Sequence, residues 1–192
     1  DAAGQGIATR LAAEVKGLEM ASRNAADAQA MVDTADGAYQ EVSNMLLRMR
    51  EMAVQAVNGT LSDADRTALN TEMTALEAEI TKIADNTAFG GINLGTSSAI
   101  TFQIGAGKDE TIEHTFKDFD AASLSLISSV ATALEAANTL SVVDAAISLV
   151  STRRGELGAL SNRLSSTIAN LDNIAVNLSS AKGRIQDTDF AT

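Results

Sequence analysis

The chain has 192 residues and a formal net charge of −11 at pH 7, with its 14 Lys and Arg residues scattered along it. Nucleic-acid-binding proteins concentrate basic side chains on one face to contact phosphates, so the composition argues against that class. Cys and Pro are both absent, which excludes disulfides and thiolate metal sites and leaves long helices without a covalent interruption.

The hydrophobic residues are small. They make up 45% of the chain, but only 3% of the chain is aromatic, so Ala, Leu, Ile, Val and Met must supply the core. Such side chains suit helices that pack closely. No apolar run approaches the roughly 20 residues of a membrane span, and no signal-peptide pattern follows Asp1. We therefore expect no membrane partner.

The first predicted helix covers residues 1–57. Two lines of apolar residues repeat every seven positions within it, which is typical of a helix packed along a seam. They are Leu11, Leu18, Ala25, Val32, Tyr39, Leu46 and Ala53, and Ala21, Ala28, Ala35, Val42, Met49 and Ala56. At about 1.5 Å per residue this helix is roughly 80 Å long, so we expect a rod.

The end of this helix, LLRMREMAVQAVNGT at residues 46–60, has more apolar positions than one seam uses. The seam accounts for Leu46, Met49, Ala53 and Ala56. A second face is left with Leu47, Arg48, Arg50, Met52 and Val54. A second apolar face on a helix indicates a second packing partner.

Asn58-Gly59 predicts the end of the first helix, and Ser62 with the acidic Asp63 and Asp65 predicts the start of the next. Apolar residues in steps of four and three then predict a helix over residues 63–85, which runs back along the first.

After the turn-rich AFGGINLGT the apolar period changes to two, which predicts a β-hairpin over residues 99–117. A short helix is expected at about residues 125–137. The last long helix is predicted over residues 141–186, with Ser141 and Asp144 as its cap. Its seam is Val150, Leu157, Leu164, Leu171, Leu178 and Ile185.

These elements predict a mainly α fold. It is an elongated helical bundle of long antiparallel, coiled-coil-like helices plus one β-hairpin, in a single rod-like domain of residues 1–192.

No pattern of residues predicts catalysis. His114 is the only histidine and lies between Ile112 and Phe116 on the apolar side of a strand, with no second His or Cys to complete a metal site. Helix capping explains the acidic pair Asp63 and Asp65, and the DFD and DTD segments lack the spacing of a calcium loop. GAGKDE joins two strands, so a hairpin turn explains its glycines. We predict a non-enzymatic protein without cofactor or metal.

Arg153 and Arg154 interrupt the seam of the last helix. Two interpretations stay open: side chains that cover the bundle, or a polar contact with a neighbouring subunit.

Several segments resemble bacterial flagellin, in the order in which that family has them. They are DAAGQGIATRL, ASRNAADAQAMVDTADGA, LLRMREMAVQAVNGTLSDADR, NTAFGGINLG, and RRGELGALSNRL with SSAKGRIQDTDFAT. Residues 99–140 form a weakly matched middle. Five ordered matches are a specific signal. The resemblance implies a motility protein, the structural subunit of the extracellular flagellar filament, which is exported and assembles with other flagellin subunits.

The family's terminal helices before DAAG and after DFAT, and its variable outer domains, have no counterpart in this sequence. The resemblance therefore implies a slim, assembly-incompetent core. Two alternatives stay open: a hook-filament junction protein of the same superfamily, and a monomeric surface ligand or adhesin. The NGTLSDADR and GALSNRL segments favour flagellin.

The resemblance also implies a patch recognised by a Toll-like innate immune receptor. Leu47, Arg48, Met52 and Glu72 fall on its motif positions, where Leu47 replaces a glutamine-type residue and Met52 a leucine-type one. In the filament the same surface is implied to contact the next subunit. The predicted contact patch, for either partner, is Leu47, Arg48, Arg50, Met52, Val54 and Glu72.

Overall fold

The structure is a computed structural model and describes residues 2–126 and 128–186. Within these residues it has three helices: α1 (Ala2–Val57), α2 (Asp63–Asn86) and α3 (Ala133–Gln186). It also has four strands: β1 (Ala88–Phe89), β2 (Ile92–Asn93), β3 (Ser98–Gln103) and β4 (Thr111–Phe116). β1 pairs with β2, and β3 pairs with β4. The predicted fold class, mainly α with long helices, is confirmed.

α1 ends at Val57, where the Asn58-Gly59 pair predicts its end. Its two seams are buried from Leu18 onwards: Leu18, Ala25, Val32, Tyr39, Leu46 and Ala53 on one line, and Ala21, Ala28, Ala35, Val42, Met49 and Ala56 on the other. Leu11, at the start of the first line, is half-buried. An apolar residue at every seventh position keeps one side of a long helix packed along its whole length.

α2 begins at the predicted cap. The Asp65 backbone N–H donates to Ser62 Oγ at 3.3 Å, and the Ser62 backbone N–H donates to the Asp65 carboxylate at 3.1 Å. This capping box pairs two amides that a helix start leaves without partners. Hydrogen bonds from Ser62 also hold the pKa of the Asp65 carboxyl below its usual range.

The predicted hairpin is present as β3 and β4. Phe102, Ile112 and Phe116 are buried, and His114 is half-buried between the last two. Alternation with a period of two places these side chains on one face of the pair.

β1 and β2 form a second, shorter hairpin in the segment where the sequence indicates only turns. Phe89 lies opposite Ile92 in the antiparallel pair. Gly90 and Gly91 join the strands with φ angles of 58° and 85°. A two-residue hairpin turn with positive φ at both positions suits glycine, which has no Cβ to clash.

The prediction for the start of α3 is wrong. α3 begins at Ala133, so the start at residue 141 is too late, and the described residues 125, 126 and 128–132 are not helical. The cap is Thr132 with Glu135: the Glu135 N–H donates to Thr132 Oγ1 at 3.2 Å, and the Thr132 N–H donates to the Glu135 carboxylate at 3.0 Å. Ser141 and Asp144 have the same spacing, but a preceding helical turn already pairs their amides.

The chain divides into two compact units. One comprises Asp1–Met31, Ile100–His114 and Leu160–Thr192, and the other comprises Val32–Ala99 and Thr115–Ala159. In the first unit Leu18, Ala21 and Leu171 form a buried cluster, with Ala175 and Leu178 packed against it. The single rod-like domain of residues 1–192 stays a prediction.

The core of the second unit contains the only tyrosine of the chain. Tyr39 is almost fully buried, its ring centroid lies 4.5 Å from that of Phe119, and its hydroxyl donates to the Lys117 carbonyl at 2.8 Å. Burial raises the pKa of Tyr39 to about 12, against the opposing effect of the Arg153 guanidinium. The aromatic pair fixes this part of α1 against the segment that follows β4.

That segment, residues 117–132, is named the linking segment. Its described residues, 117–126 and 128–132, are irregular. α2 holds them through polar contacts: the Ser128 N–H donates to Glu77 Oε1 at 3.2 Å, and the Val130 N–H donates to Asn70 Oδ1 at 2.9 Å. The Ser128 hydroxyl also donates to Glu77. Burial raises the pKa of the Glu77 carboxyl, although the Ser128 N–H opposes this effect. Phe119, Leu124, Leu126 and Val130 are buried beneath the segment's surface.

α3 is long and apolar enough, on length and composition alone, to span a bilayer. Polar residues interrupt its apolar runs, which is why no run in the sequence indicates a span. A single such helix is weak evidence, because long helices that pack in soluble proteins pass the same test.

Candidate subunit-contact surface

The contact patch begins with apolar side chains that the fold leaves uncovered. Leu47 is 48% exposed and Val54 is 50% exposed. They lie seven residues apart on α1 and so share one face of the helix. Val57, three residues after Val54, is 39% exposed and extends the same face. The predicted patch omits Val57, although its spacing from Val54 could have indicated it.

Arg48 joins α1 to α2. Its Nη2 lies 2.8 Å from Glu72 Oε1, and its Nε donates to the same oxygen at 2.9 Å. Its Nη1 also donates to Glu51 Oε2 at 3.3 Å, within the same helix. Hydrogen bonds to Glu72 and then Glu51 raise the pKa of the Arg48 guanidinium. The fold therefore brings together Arg48 and Glu72, which lie 24 residues apart in the sequence, and both stay partly exposed.

Arg50 joins α1 to α3. Its Nε donates to Asp144 Oδ1 at 2.6 Å, and about half of each side chain is exposed. Asp144 is therefore the partner of a cation on another helix, in place of the cap that its sequence context suggests. Exposed pairs of this kind contribute roughly 0–1 kcal/mol to stability, so their charges are available to shape recognition.

Met52 does not belong to an exposed surface, and its place in the predicted patch is wrong. Its side chain is 0% exposed. Arg48, Met52 and Ala56 follow one another at intervals of four along α1 and so lie on one stripe. α2 contacts this stripe on both sides of Met52, because Glu72 binds Arg48 and Arg66 binds the Ala56 carbonyl. A partner molecule would therefore meet α2 before it met Met52.

Arg66 was not among the predicted residues, yet it closes the end of α1. It is only 7% exposed. Its Nε donates to the Ala56 carbonyl at 3.0 Å, its Nη1 to the Leu61 carbonyl at 2.7 Å and its Nη2 to the Asn58 carbonyl at 2.9 Å. Carbonyls at the end of a helix lack partners within the helix and carry partial negative charge, which a cation stabilises.

A signal for Arg66 exists in the sequence. Its position continues the apolar spacing of α2 backwards from Leu69 and Met73, in steps of three and four. A cation at a buried position of a helix indicates an internal partner, since an unpaired charge is costly to bury.

Arg153 and Arg154 both make contacts within the second unit. Arg154 binds the Asp36 carboxylate with two nitrogens, at 2.8 and 3.1 Å, and donates to Gln40 Oε1 at 2.5 Å. The hydrogen bonds to Asp36, and then its negative charge, raise the pKa of the Arg154 guanidinium. Arg153 donates to the Asp118 carbonyl. The interpretation as side chains that cover the bundle accounts for both residues.

No cluster of three or more His, Asp or Glu side chains in residues 2–126 and 128–186 could hold a metal ion. Glu77, whose pKa burial raises, accepts hydrogen bonds from Ser128 and so fastens the linking segment. The predicted patch combines exposed apolar side chains with charged pairs, a combination that protein–protein interfaces also have.

Two family models match the chain. The model of the bacterial flagellin N-terminal helical region matches residues 1–96, and the model of the bacterial flagellin C-terminal helical region matches residues 140–192. Both predicted patch helices, α1 and α2, lie inside the first match.

A flagellin from Halalkalibacterium halodurans is 39% identical to the chain over 196 residues, covering 100% of this chain and 72% of the relative. The crystal structure of Bacillus cereus flagellin is similar with a TM-score of 0.70 and 30% identity, over 83% of this chain and 94% of that one. A Vibrio parahaemolyticus structure, described as a flagellar hook-associated protein, has a TM-score of 0.76 at 16% identity, over 92% and 94%, which is a likeness of fold alone. The chain therefore belongs to the bacterial flagellin family, whose members are structural, non-enzymatic subunits of the extracellular flagellar filament.

Proposed function

We propose that Leu47, Arg48, Arg50, Val54 and Glu72 form the surface through which this subunit contacts the next one in the filament. The observation that carries the proposal is the apolar face of α1 at Leu47 and Val54, half exposed and flanked by charged pairs. Apolar surface that a fold leaves uncovered gains free energy when a partner removes it from water, at about 25 cal/mol per Å².

The charged pairs would orient the partner subunit at this surface. Arg48 with Glu72, and Arg50 with Asp144, place positive and negative groups on either side of the apolar face. An arrangement of charges that must be matched by the partner favours one docking register over others. This suits a filament, in which every subunit has to meet its neighbour in the same way.

The test changes the apolar face in the flagellin gene of the native bacterium. Leu47→Asp with Val54→Asp should shorten or abolish filaments in electron micrographs and reduce swimming, because two carboxylates would be buried unpaired at the contact. The control is Gln55→Asp, which adds one negative charge, half that of the double variant, at an exposed position on a neighbouring face of α1. Filaments of normal length from the double variant would refute the proposal.

Sedimentation of purified residues 1–192 in polymerising salt tests the sequence-based prediction that this segment does not assemble alone. The hook-filament junction alternative predicts that the native gene product lies only where the filament meets the hook, so that filaments would persist around a variant that fails to assemble. The family models favour a filament subunit.

A second candidate function is that of a ligand for a Toll-like receptor. Arg48 and Glu72 have the residue types that the flagellin resemblance implies for this role, and both are about half exposed. Receptor-reporter cells should respond to the chain, and Arg48→Ala should weaken the response while Arg23→Ala, at an exposed position of α1 outside the patch, should not. No response to the unmutated chain would remove this function.

A further inference from the structure

The turn between α1 and α2 contains the only Asn-Gly pair of the sequence. We infer that Asn58 is a site of spontaneous deamidation in the folded protein, through a cyclic imide formed with the backbone nitrogen of Gly59. Both residues are exposed and lie outside the helices. The co-reactant is water.

The local geometry favours ring closure. The Thr60 N–H donates to Asn58 Oδ1 at 3.1 Å, which folds the side chain over the peptide bond between Asn58 and Gly59. Gly59 has no side chain to obstruct its nitrogen. Within residues 2–126 and 128–186 the Gly59 N–H has no hydrogen-bond acceptor in the protein, so this nitrogen is not committed elsewhere.

Arg66 also favours ring closure, through its positive charge. Its Nη2 donates to the Asn58 carbonyl at 2.9 Å, and the Leu61 N–H donates to the same oxygen at 3.2 Å. The Gly59 nitrogen attacks after it has lost its proton, and the resulting negative charge is shared with the Asn58 carbonyl oxygen. A guanidinium bound to that oxygen stabilises the charge.

The chemical steps balance without any change in oxidation state. The Gly59 nitrogen forms a bond to Asn58 Cγ, the bond from Cγ to Nδ2 breaks, and ammonia leaves with the proton lost from Gly59. Water then adds to one of the two carbonyls of the five-membered imide and breaks its bond to nitrogen. The product is aspartate or isoaspartate, and the sum is asparagine plus water giving acid plus ammonia.

Asp36-Gly37 is a second pair that could form such an imide, with loss of water. Its surroundings, however, oppose the reaction. It lies in the middle of α1, where helical hydrogen bonds fix the backbone. Arg154 also binds both carboxylate oxygens of Asp36, at 2.8 and 3.1 Å. The chain thus contains one exposed pair in a turn and one restrained pair in a helix.

The two products should differ in their effect on the turn. Aspartate adds one negative charge beside Arg66, whereas isoaspartate also lengthens the backbone by one methylene. Arg66 binds three carbonyls around this turn. A lengthened backbone displaces the Asn58 carbonyl from Arg66, so the isoaspartate form should unfold at a lower temperature than the aspartate form.

The experiment incubates the full folded chain at mildly alkaline pH and physiological temperature, then digests it with trypsin at acidic pH. The tryptic peptide of residues 51–66 contains Asn58 as its only asparagine, and the peptide of residues 24–48 contains Asp36. We expect aspartate and isoaspartate to accumulate at position 58, with no isoaspartate at position 36. An intact amide at position 58, under conditions in which the urea-unfolded chain deamidates, would overturn the inference.

Gly59→Ala is the matched variant. A Cβ at this position meets nothing within 4 Å, and Gly59 does not have a positive φ angle, so the variant should unfold at the same temperature. Its added methyl group hinders attack by the nitrogen, and deamidation at Asn58 should slow several-fold. An unchanged rate in the variant would rule out the cyclic imide route.

Discussion

At the scale of single residues, Arg66 is a buried charge whose main partners are backbone carbonyls. Three of its nitrogens bind the carbonyls of Ala56, Asn58 and Leu61, and one of its nitrogens also lies 3.7 Å from the exposed Asp63 carboxylate. The exposed carboxylate contributes little in water. The end of α1 is therefore stabilised mainly by the guanidinium fork, which can reach several acceptors from one fixed plane.

Arg66→Met should lower the free energy of unfolding by about 2 kcal/mol or more, since hydrogen bonds to a charged group are lost and carbonyls are left unpaired. Methionine keeps the apolar stem, so the loss reports on the guanidinium. Urea unfolding followed by circular dichroism measures the change. Arg23→Met, at an exposed position of α1, is the control and should change stability by less than about 0.5 kcal/mol. An equal effect of the two variants would contradict this role.

At the scale of elements, the seven-residue repeat was sufficient to predict α1 and the seam of α3 as far as Leu171. Val150, Leu157, Leu164 and Leu171 are all buried, whereas Leu178 is half-buried and Ile185 exposed. A repeat of this kind predicts which face of a helix is buried, but it does not predict where along the helix the packing ends.

The heptad phase of α3 can be measured. Leu164→Ala should lower the free energy of unfolding by about 2–5 kcal/mol, because Leu164 is 0% exposed and truncation leaves a cavity. Val176→Ala is the control in the same helix, at an exposed position, and should cost less than about 0.5 kcal/mol. Denaturant titration gives both values. A loss below about 0.5 kcal/mol for Leu164→Ala would mean that the seam is wrongly assigned.

The features that the sequence did not predict depend on partners far along the chain. Met52 looks free on a helical repeat, yet it is 0% exposed and α2 contacts the same stripe on both sides of it. Asp144 has the spacing of a cap, and its pairing with Arg50, 94 residues away, is a property of the folded chain. The exposure of Leu47 and Val54 could be predicted because it depends on one helix face, whereas the burial of Met52 could not. The role of the patch in contact stays a prediction.

At the scale of the whole molecule, the cores of the two compact units differ in composition. Among the residues that the structure describes, the largest fully buried side chains, such as Tyr39, Phe116 and Met73, lie in the second unit, with Leu164 as the exception. Larger buried side chains remove more apolar surface from water and so contribute more to local stability.

Amide hydrogen exchange should reveal this difference within one continuous helix. We expect amides of α1 in residues 32–57 to exchange more slowly than those in residues 2–31, since opening the second unit exposes more apolar surface. Mass spectrometry of peptides from the exchanged chain measures both regions in one sample. Equal protection along α1 would show that both units open in a single step.

The buried Tyr39 has a practical consequence. The chain has one tyrosine and no tryptophan, so nearly all of its near-ultraviolet absorption and fluorescence comes from a single phenol ring. That ring contacts Phe119 and donates to the Lys117 carbonyl. The optical signal of the unlabelled protein therefore reports whether the linking segment is packed against α1. It carries almost no information about residues 2–31 and 160–186.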